Sequence, residues 1–217
     1  MRVLNVEKIY SEIDTNDLSR VSDFLDKTES TDNIDEINWD SNLGSPEVKF
    51  SICYSDKEIF LKYYVREDCV KAEMTESNQK VYEDSCVEFF VIPGDDGLYY
   101  NFEFNSIGTC LMAVGKDRNN RTIADPETIS MIRRLPSIGI EPFPEIFKPT
   151  SWTLTLAIPL EVFFRHNVKD LTNKAFRANF YKCGDKLSTP HYLTWNPIKT
   201  KKPDYHCPEF FGEIIFD

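Results

Sequence analysis

An all-β fold is predicted for this chain: an antiparallel β-sandwich, two sheets in an immunoglobulin- or jelly-roll-like arrangement, with a short N-terminal helix. Three observations predict it. From Val48 onward apolar and polar residues alternate over short runs. Clusters of Gly, Pro, Asp and Ser separate those runs. One stretch near the N-terminus, and no other of similar strength, has helical spacing. The chain of 217 residues suits one large all-β domain, residues 1–217, and its 16 Phe and 10 Tyr supply core bulk. No repeat of propeller or solenoid length is visible, and a closed barrel is the runner-up to the sandwich.

The elements follow in order. Residues 1–44 read as an extension packed on or flanking the sandwich. Within it Leu18, Val21 and Leu25 share one face of a helix over Asp17 to Lys27, with Asn16 or Asp17 as cap. The acidic stretch from Thr28 to Asn38 reads as a loop. Val48, Phe50, Ile52 and Tyr54 alternate with Lys49, Ser51 and Cys53, and a turn at Ser55-Asp56-Lys57 leads to a second strand, Glu58 to Arg66. Ser85 to Ile92 and Leu98 to Asn105 form a hairpin through Pro93-Gly94-Asp95-Asp96-Gly97. Thr109 to Gly115 follows, and Ile129 to Leu135 reads as a strand in a Pro-rich region. Trp152, Leu154, Leu156 and Ile158 define one face of the strand ending at Pro159, before a helical turn at Leu160 to Arg165. Ala175 to Cys183, His191 to Trp195 and Phe210 to Phe216 complete the set.

Composition excludes some functions. A net charge of -11 repels phosphate backbones, so neither nucleic acid nor an anionic membrane is an expected partner. No apolar run approaches the roughly 20 residues of a membrane helix, and Met1 to Glu12 carries no basic-then-apolar export pattern. With Met1 as the native start a cytoplasmic location is expected; were a signal peptide removed, the location is unknown. The six cysteines have no C-x-x-C spacing and read as inert buried thiols. No cofactor is expected; Asp95-Asp96 and Asp84 offer oxygen ligands for a structural calcium.

On three strands the alternation sets a polar, aromatic-bearing face opposite the core face. Glu88 lies opposite Val87 and Phe89. Asn101, Glu103 and Asn105 lie opposite Tyr100, Phe102 and Phe104. Arg177, Asn179 and Tyr181 lie opposite Phe176, Ala178 and Phe180. Amides, carboxylates and a guanidinium hydrogen-bond vicinal sugar hydroxyls, and aromatic rings supply an apolar platform. From the pattern alone, a solvated outer face with cross-strand charge pairs is the simpler expectation.

The stretch Tyr82-Glu83-Asp84-Ser85-Cys86-Val87-Glu88-Phe89-Phe90 resembles the Asp-Ser-x-Val-Glu-x-Phe signature of family 9 carbohydrate-binding modules. Tyr99 to Asn105 with Gly108, Trp152 to Pro159, Arg177 to Tyr181 and Pro208-Glu209-Phe210-Phe211-Gly212-Glu213-Ile214 follow in the family's order. The resemblance spans Val48 to the C-terminus and is nearest to stand-alone bacterial family 9-like proteins, linked with xylan and polysaccharide degradation. It implies a β-sandwich that holds a glycan chain end between two aromatic side chains, with any calcium structural. By position, Tyr82 takes the place of the first stacking aromatic and Glu88 that of a hydrogen-bonding Glu. Glu103 falls where the modules often carry Arg, and Asn105 matches the next polar residue. The second stacking aromatic falls to Tyr205 or His206, with Trp195 upstream. Tryptophan is usual at both stacking positions of the modules.

The expected function is non-catalytic binding of a xylan- or glucan-derived oligosaccharide or polysaccharide, with no catalytic or metal-ligating residue assigned. Two alternatives stand beside it: a glycoside hydrolase using Glu88 and Glu103, and an interaction sandwich whose sugar site has decayed.

Overall fold

A computed structural model describes residues 1–10, 12–40 and 43–217. Two sheets face each other, and no barrel closes. The smaller runs in the order β10 (Arg133–Pro136), β11 (Phe143–Pro159), β5 (Glu58–Ala72), β4 (Glu47–Tyr54) and β2 (Thr31–Asn33). The larger runs β1 (Val3–Val6), β14 (Gly212–Phe216), β12 (Ala175–Cys183), β6 (Cys86–Ile92), β7 (Tyr99–Asn105), β8 (Cys110–Gly115) and β9 (Arg121–Ile123). Beyond the end of β14, β12 pairs with β13 (Tyr192–Thr194), which carries β3 (Glu36–Ile37). β1 runs parallel to β14, and the other paired strands are antiparallel.

The predicted alternation is the alternation observed. Val48, Phe50, Ile52 and Tyr54 of β4 meet Val87, Phe89 and Val91 of β6, Tyr100, Phe102 and Phe104 of β7, and Phe176, Ala178 and Phe180 of β12 in one buried core. Stacked rings cross it: Phe50 lies 3.8 Å from Phe180, and Phe89 5.0 Å from Phe180. Each fully buried Phe contributes about 1.5–3 kcal/mol by leaving water, so this ladder is a main source of cohesion.

Several boundaries differ from the sequence expectation. β5 runs on past Arg66, because Glu67 enters the interior and is neutralised there. Its Oε1 accepts from Trp152 Nε1 at 2.7 Å, and its Oε2 lies 2.8 Å from Lys182 Nζ. Ile129 does not begin a strand. Asp125 caps a short helix, α2 (Pro126–Ser130), with Pro at its first turn, and β10 starts only at Arg133. The helix near the N-terminus is present as α1 (Leu18–Leu25), and Asp17 is its cap, accepting from Ser19 N. Val21 and Leu25 seat it against Cys53, Phe60 and Ala157, on the outer side of the smaller sheet. The stretch Thr28 to Asn38 is not merely a loop: β2 and β3 lie in it, one in each sheet. β1, β2 and β3 thus join the two sheets, and α1 packs on the smaller one.

The outer side of the larger sheet is also covered. Phe90, Tyr99 and Tyr181 point outward from their strands and pack with Ile198, Tyr205, Cys207 and Phe211 from the segment before β14. A sheet buried on both sides converts outward polar residues into interior ones. Glu88 is 2%, Asn101 1% and Glu103 4% exposed, where a solvated face was the simpler expectation.

Candidate functional site

Where the covering segment stops short, the outer side of the larger sheet holds a cavity of about 390 Å³. Its floor is Glu88 of β6 with Asn101 and Glu103 of β7. Tyr82 stands on one wall, in a 3-10 turn (Val81–Glu83) that precedes β6. Tyr192, Tyr205 and His206 line another part, Arg118 enters from the connection between β8 and β9, and Arg121 from the start of β9. Asp185, Asp204 and Cys183 complete the polar lining.

The motif around Asp84 builds this site. Asp84 is fully buried, and its Oδ2 accepts from the backbone N–H groups of Glu73 and Met74 and from Asn105 Nδ2. Ser85 Oγ accepts from Lys71 N at 3.2 Å. These bonds fasten the end of β5 to the start of β6. Tyr82 is held in turn by its carbonyl, which accepts from Asp185 N at 2.9 Å.

Glu88 and Glu103 are direct cross-strand neighbours. Burial, and then the charge of Glu103, push the Glu88 carboxyl well above the ordinary range. Burial raises Glu103 to about 7, restrained by a hydrogen bond from Asn101 Nδ2 at 2.8 Å and by the Arg121 charge. Its other oxygen, Oε2, is buried without a hydrogen-bond partner. Asp185 is likewise raised by burial, to about 6. The floor therefore holds one carboxyl biased by burial toward its uncharged form and one that ionises near neutrality.

Arg121 organises the opposite side. Its guanidinium lies 4.6 Å from the Tyr99 ring centroid and donates to Asn101 Oδ1 and, at 3.3 Å, to His206 Nδ1. Arginine can only donate, so Nδ1 is the acceptor nitrogen of His206, and Tyr99 Oη donates to it at 2.9 Å. Burial and the Arg121 charge lower His206 to about 3, so its ring is neutral with the proton on Nε2.

The model of carbohydrate-binding family 9 matches residues 20–216. A protein from Bacteroides uniformis, provisionally described as carbohydrate-binding, is 40% identical in a match covering 100% of this chain and 99% of that one, with a TM-score of 0.93. The chain belongs to carbohydrate-binding family 9. A family 9 module from Caldicellulosiruptor kristjanssonii in complex with glucose matches at 15% identity over 100% of this chain and 96% of that chain, with a TM-score of 0.53. The match to a module from the same organism in complex with cellotriose is 15% identical, covers 99% and 93%, and has a TM-score of 0.54. At such identity the likeness is one of fold. No curated protein matches the sequence.

This family 9 protein binds carbohydrate, and the predicted polar face divides into two groups. Tyr82, Glu88, Asn101, Glu103, Tyr205 and His206 line the cavity. The others do not, each for a local reason. Trp195 turns into the inter-sheet core, 5.4 Å from Phe180, with Nε1 donating to Asp32 Oδ2. Asn105 is spent on Asp84, on the Met74 carbonyl and on Thr109 N. Asn179 bridges to the Asn196 backbone, donating to its carbonyl and accepting from its N–H. Arg177 lies at the far end of β12, opposite Ile92, and donates to the Pro208 carbonyl. Tyr181 is a buried support, stacked 4.0 Å from Tyr205. That stack, and a Tyr205 Oη proton shared between the carbonyls of Lys182 and Leu193, make Tyr205 wall rather than a free platform.

Arg118, Arg121, Asp185, Tyr192 and Asp204 lie in segments that read as polar connections or strand ends. The two arginines, three and six residues past Gly115, carried no signal among the 25 Lys and Arg of the chain. The suggested calcium ligands Asp84 and Asp96 flank opposite ends of β6, and Asp96 accepts from Leu98 N and meets His166 Nε2.

Proposed function

We propose that the cavity holds the terminal one or two units of a glucan- or xylan-derived chain, such as polysaccharide degradation releases, and does not cleave it. One observation carries this reading: a partly exposed ring, Tyr82, shares a small cavity with a floor of buried carboxyl and amide groups. Tyr82 supplies an apolar face for a pyranose, and Glu88, Asn101, Glu103, Arg118 and Arg121 supply donors and acceptors for its hydroxyls. A volume of about 390 Å³ is at the small end of ligand sites, which suits a chain end over a long polymer lying across the sheet. The two Caldicellulosiruptor modules, with glucose and cellotriose, supply the ligand class.

The arrangement of Glu88 and Glu103 favours binding over hydrolysis. A glycosidase needs two carboxyl groups flanking the scissile bond. Here they sit side by side on one floor, and Glu88 is further engaged with Cys183 Sγ at 3.2 Å. Isothermal titration with glucose, xylose and their di- and trisaccharides tests the proposal. Affinity is expected to level off by the disaccharide, to fall when the chain end is blocked, and to leave every oligosaccharide intact. Absence of heat with all of these sugars, or their cleavage, overturns it.

A further inference from the structure

One cluster at the cavity floor pairs a sugar-facing carboxyl with two thiols that sugar binding does not use. Cys86 of β6 and Cys183 of β12 are direct cross-strand neighbours, and Glu88 stands two residues along from Cys86 on the same face. Cys183 Sγ lies 3.2 Å and Cys86 Sγ 3.9 Å from Glu88 Oε1, and all three ligand atoms fall within 4.8 Å of one another. A tetrahedral ion with bonds of about 2.3 Å to sulfur and 2.0–2.2 Å to oxygen has ligand–ligand edges of about 3.5–3.8 Å. The observed separations bracket that edge.

We propose that Cys86, Cys183 and Glu88 form a binding site for a thiophilic divalent cation of the zinc type, with the fourth position left to solvent in the cavity. Three protein ligands and one open position is a known arrangement for zinc, and two thiolates select it against calcium or magnesium. The surroundings agree in charge: Glu103 and Asp185 lie on the same cavity, and Glu103 Oε2 is a buried acceptor without a partner. Spacing in the sequence gives no hint of the site, because its ligands come from strands adjacent in space and 97 residues apart in the chain.

Binding expels protons. A thiol must lose its proton to ligate, so the cation displaces one proton from each sulfur into solvent. Affinity therefore rises with pH. The site does not depend on which sugar the cavity accepts, and its test needs none.

Fully reduced protein titrated with cadmium chloride is expected to develop the ultraviolet thiolate-to-cadmium charge-transfer band, saturating at one equivalent and erased by excess zinc. Cys86→Ser and Cys183→Ser are each expected to weaken cadmium binding more than about 100-fold, since loss of a mere supporting contact costs 10–100-fold. Cys69→Ser and Cys207→Ser should retain the band. Zinc should also raise the melting temperature of the wild type, and of Cys69→Ser, but not that of Cys183→Ser. If either serine variant fails to fold, Glu88→Gln provides the second reading, with weakened binding expected. No band at one equivalent, or a band that survives Cys183→Ser, overturns the proposal.

Discussion

Glu103→Gln isolates the cost of an ionisable group on the cavity floor. Burial raises the Glu103 carboxyl to about 7, against about 4.5 for an exposed Glu. The folded state therefore holds this proton more tightly than the unfolded state. Its stabilising contribution is fully present below about pH 4.5 and is lost as pH rises through 7. At about 1.4 kcal/mol per unit, the full change is about 3 kcal/mol. Glutamine keeps the shape and the bond with Asn101 but cannot ionise. Denaturant unfolding of wild type and variant at intervals from pH 4.5 to 8.5 gives the difference directly. That difference should move in favour of the variant with rising pH, by about 3 kcal/mol in all, and level off above pH 7.5. A pH-independent difference would mean that water in the cavity solvates the carboxylate, and the assignment of burial as the dominant cause would be wrong. The same carboxylate has Oε2 unpartnered. A sugar hydroxyl donating to it favours the ionised form, so sugar affinity should rise with pH through the same range, and Glu103→Gln should abolish that rise.

Three further substitutions test the division between site and scaffold. Tyr82→Ala removes the partly exposed ring; loss of about 40–60 Å² of apolar contact is worth about 1–1.5 kcal/mol, so titration calorimetry should show sugar affinity down about 5- to 12-fold. Trp195→Ala should cost about 3–5 kcal/mol of unfolding free energy while the folded fraction binds sugar as before, because the ring packs in the core; a selective loss of affinity would restore it to the site. Glu67→Gln leaves the buried Lys182 ammonium without its carboxylate, and chemical denaturation should register a loss of about 3–5 kcal/mol.

Alternation with period two determined which residues of β4, β6, β7, β11 and β12 face the core, since that geometry is local to each strand and every one-residue shift would invert it. The same local signal placed Glu88, Asn101 and Glu103 together on the opposite side, and the Asp84-Ser85 motif marked where the site is anchored. It said nothing about what covers that side. The segment from Trp195 to Phe211 lies on the sheet through contacts between residues far apart in the chain, and these decide that Tyr205 and His206 enter the cavity while Trp195 turns to the core. Arg177 and Asn179 share a face with Glu88 by parity, yet distance along the strand and neighbouring backbone groups remove them from the cavity. Arg121 and the Cys86–Cys183 pairing were equally invisible, because strand neighbours are chosen by packing across the whole domain. The sequence by itself thus determined the two faces of each strand. Which of the outward residues became a site was decided only when a distant segment folded over them and left one gap.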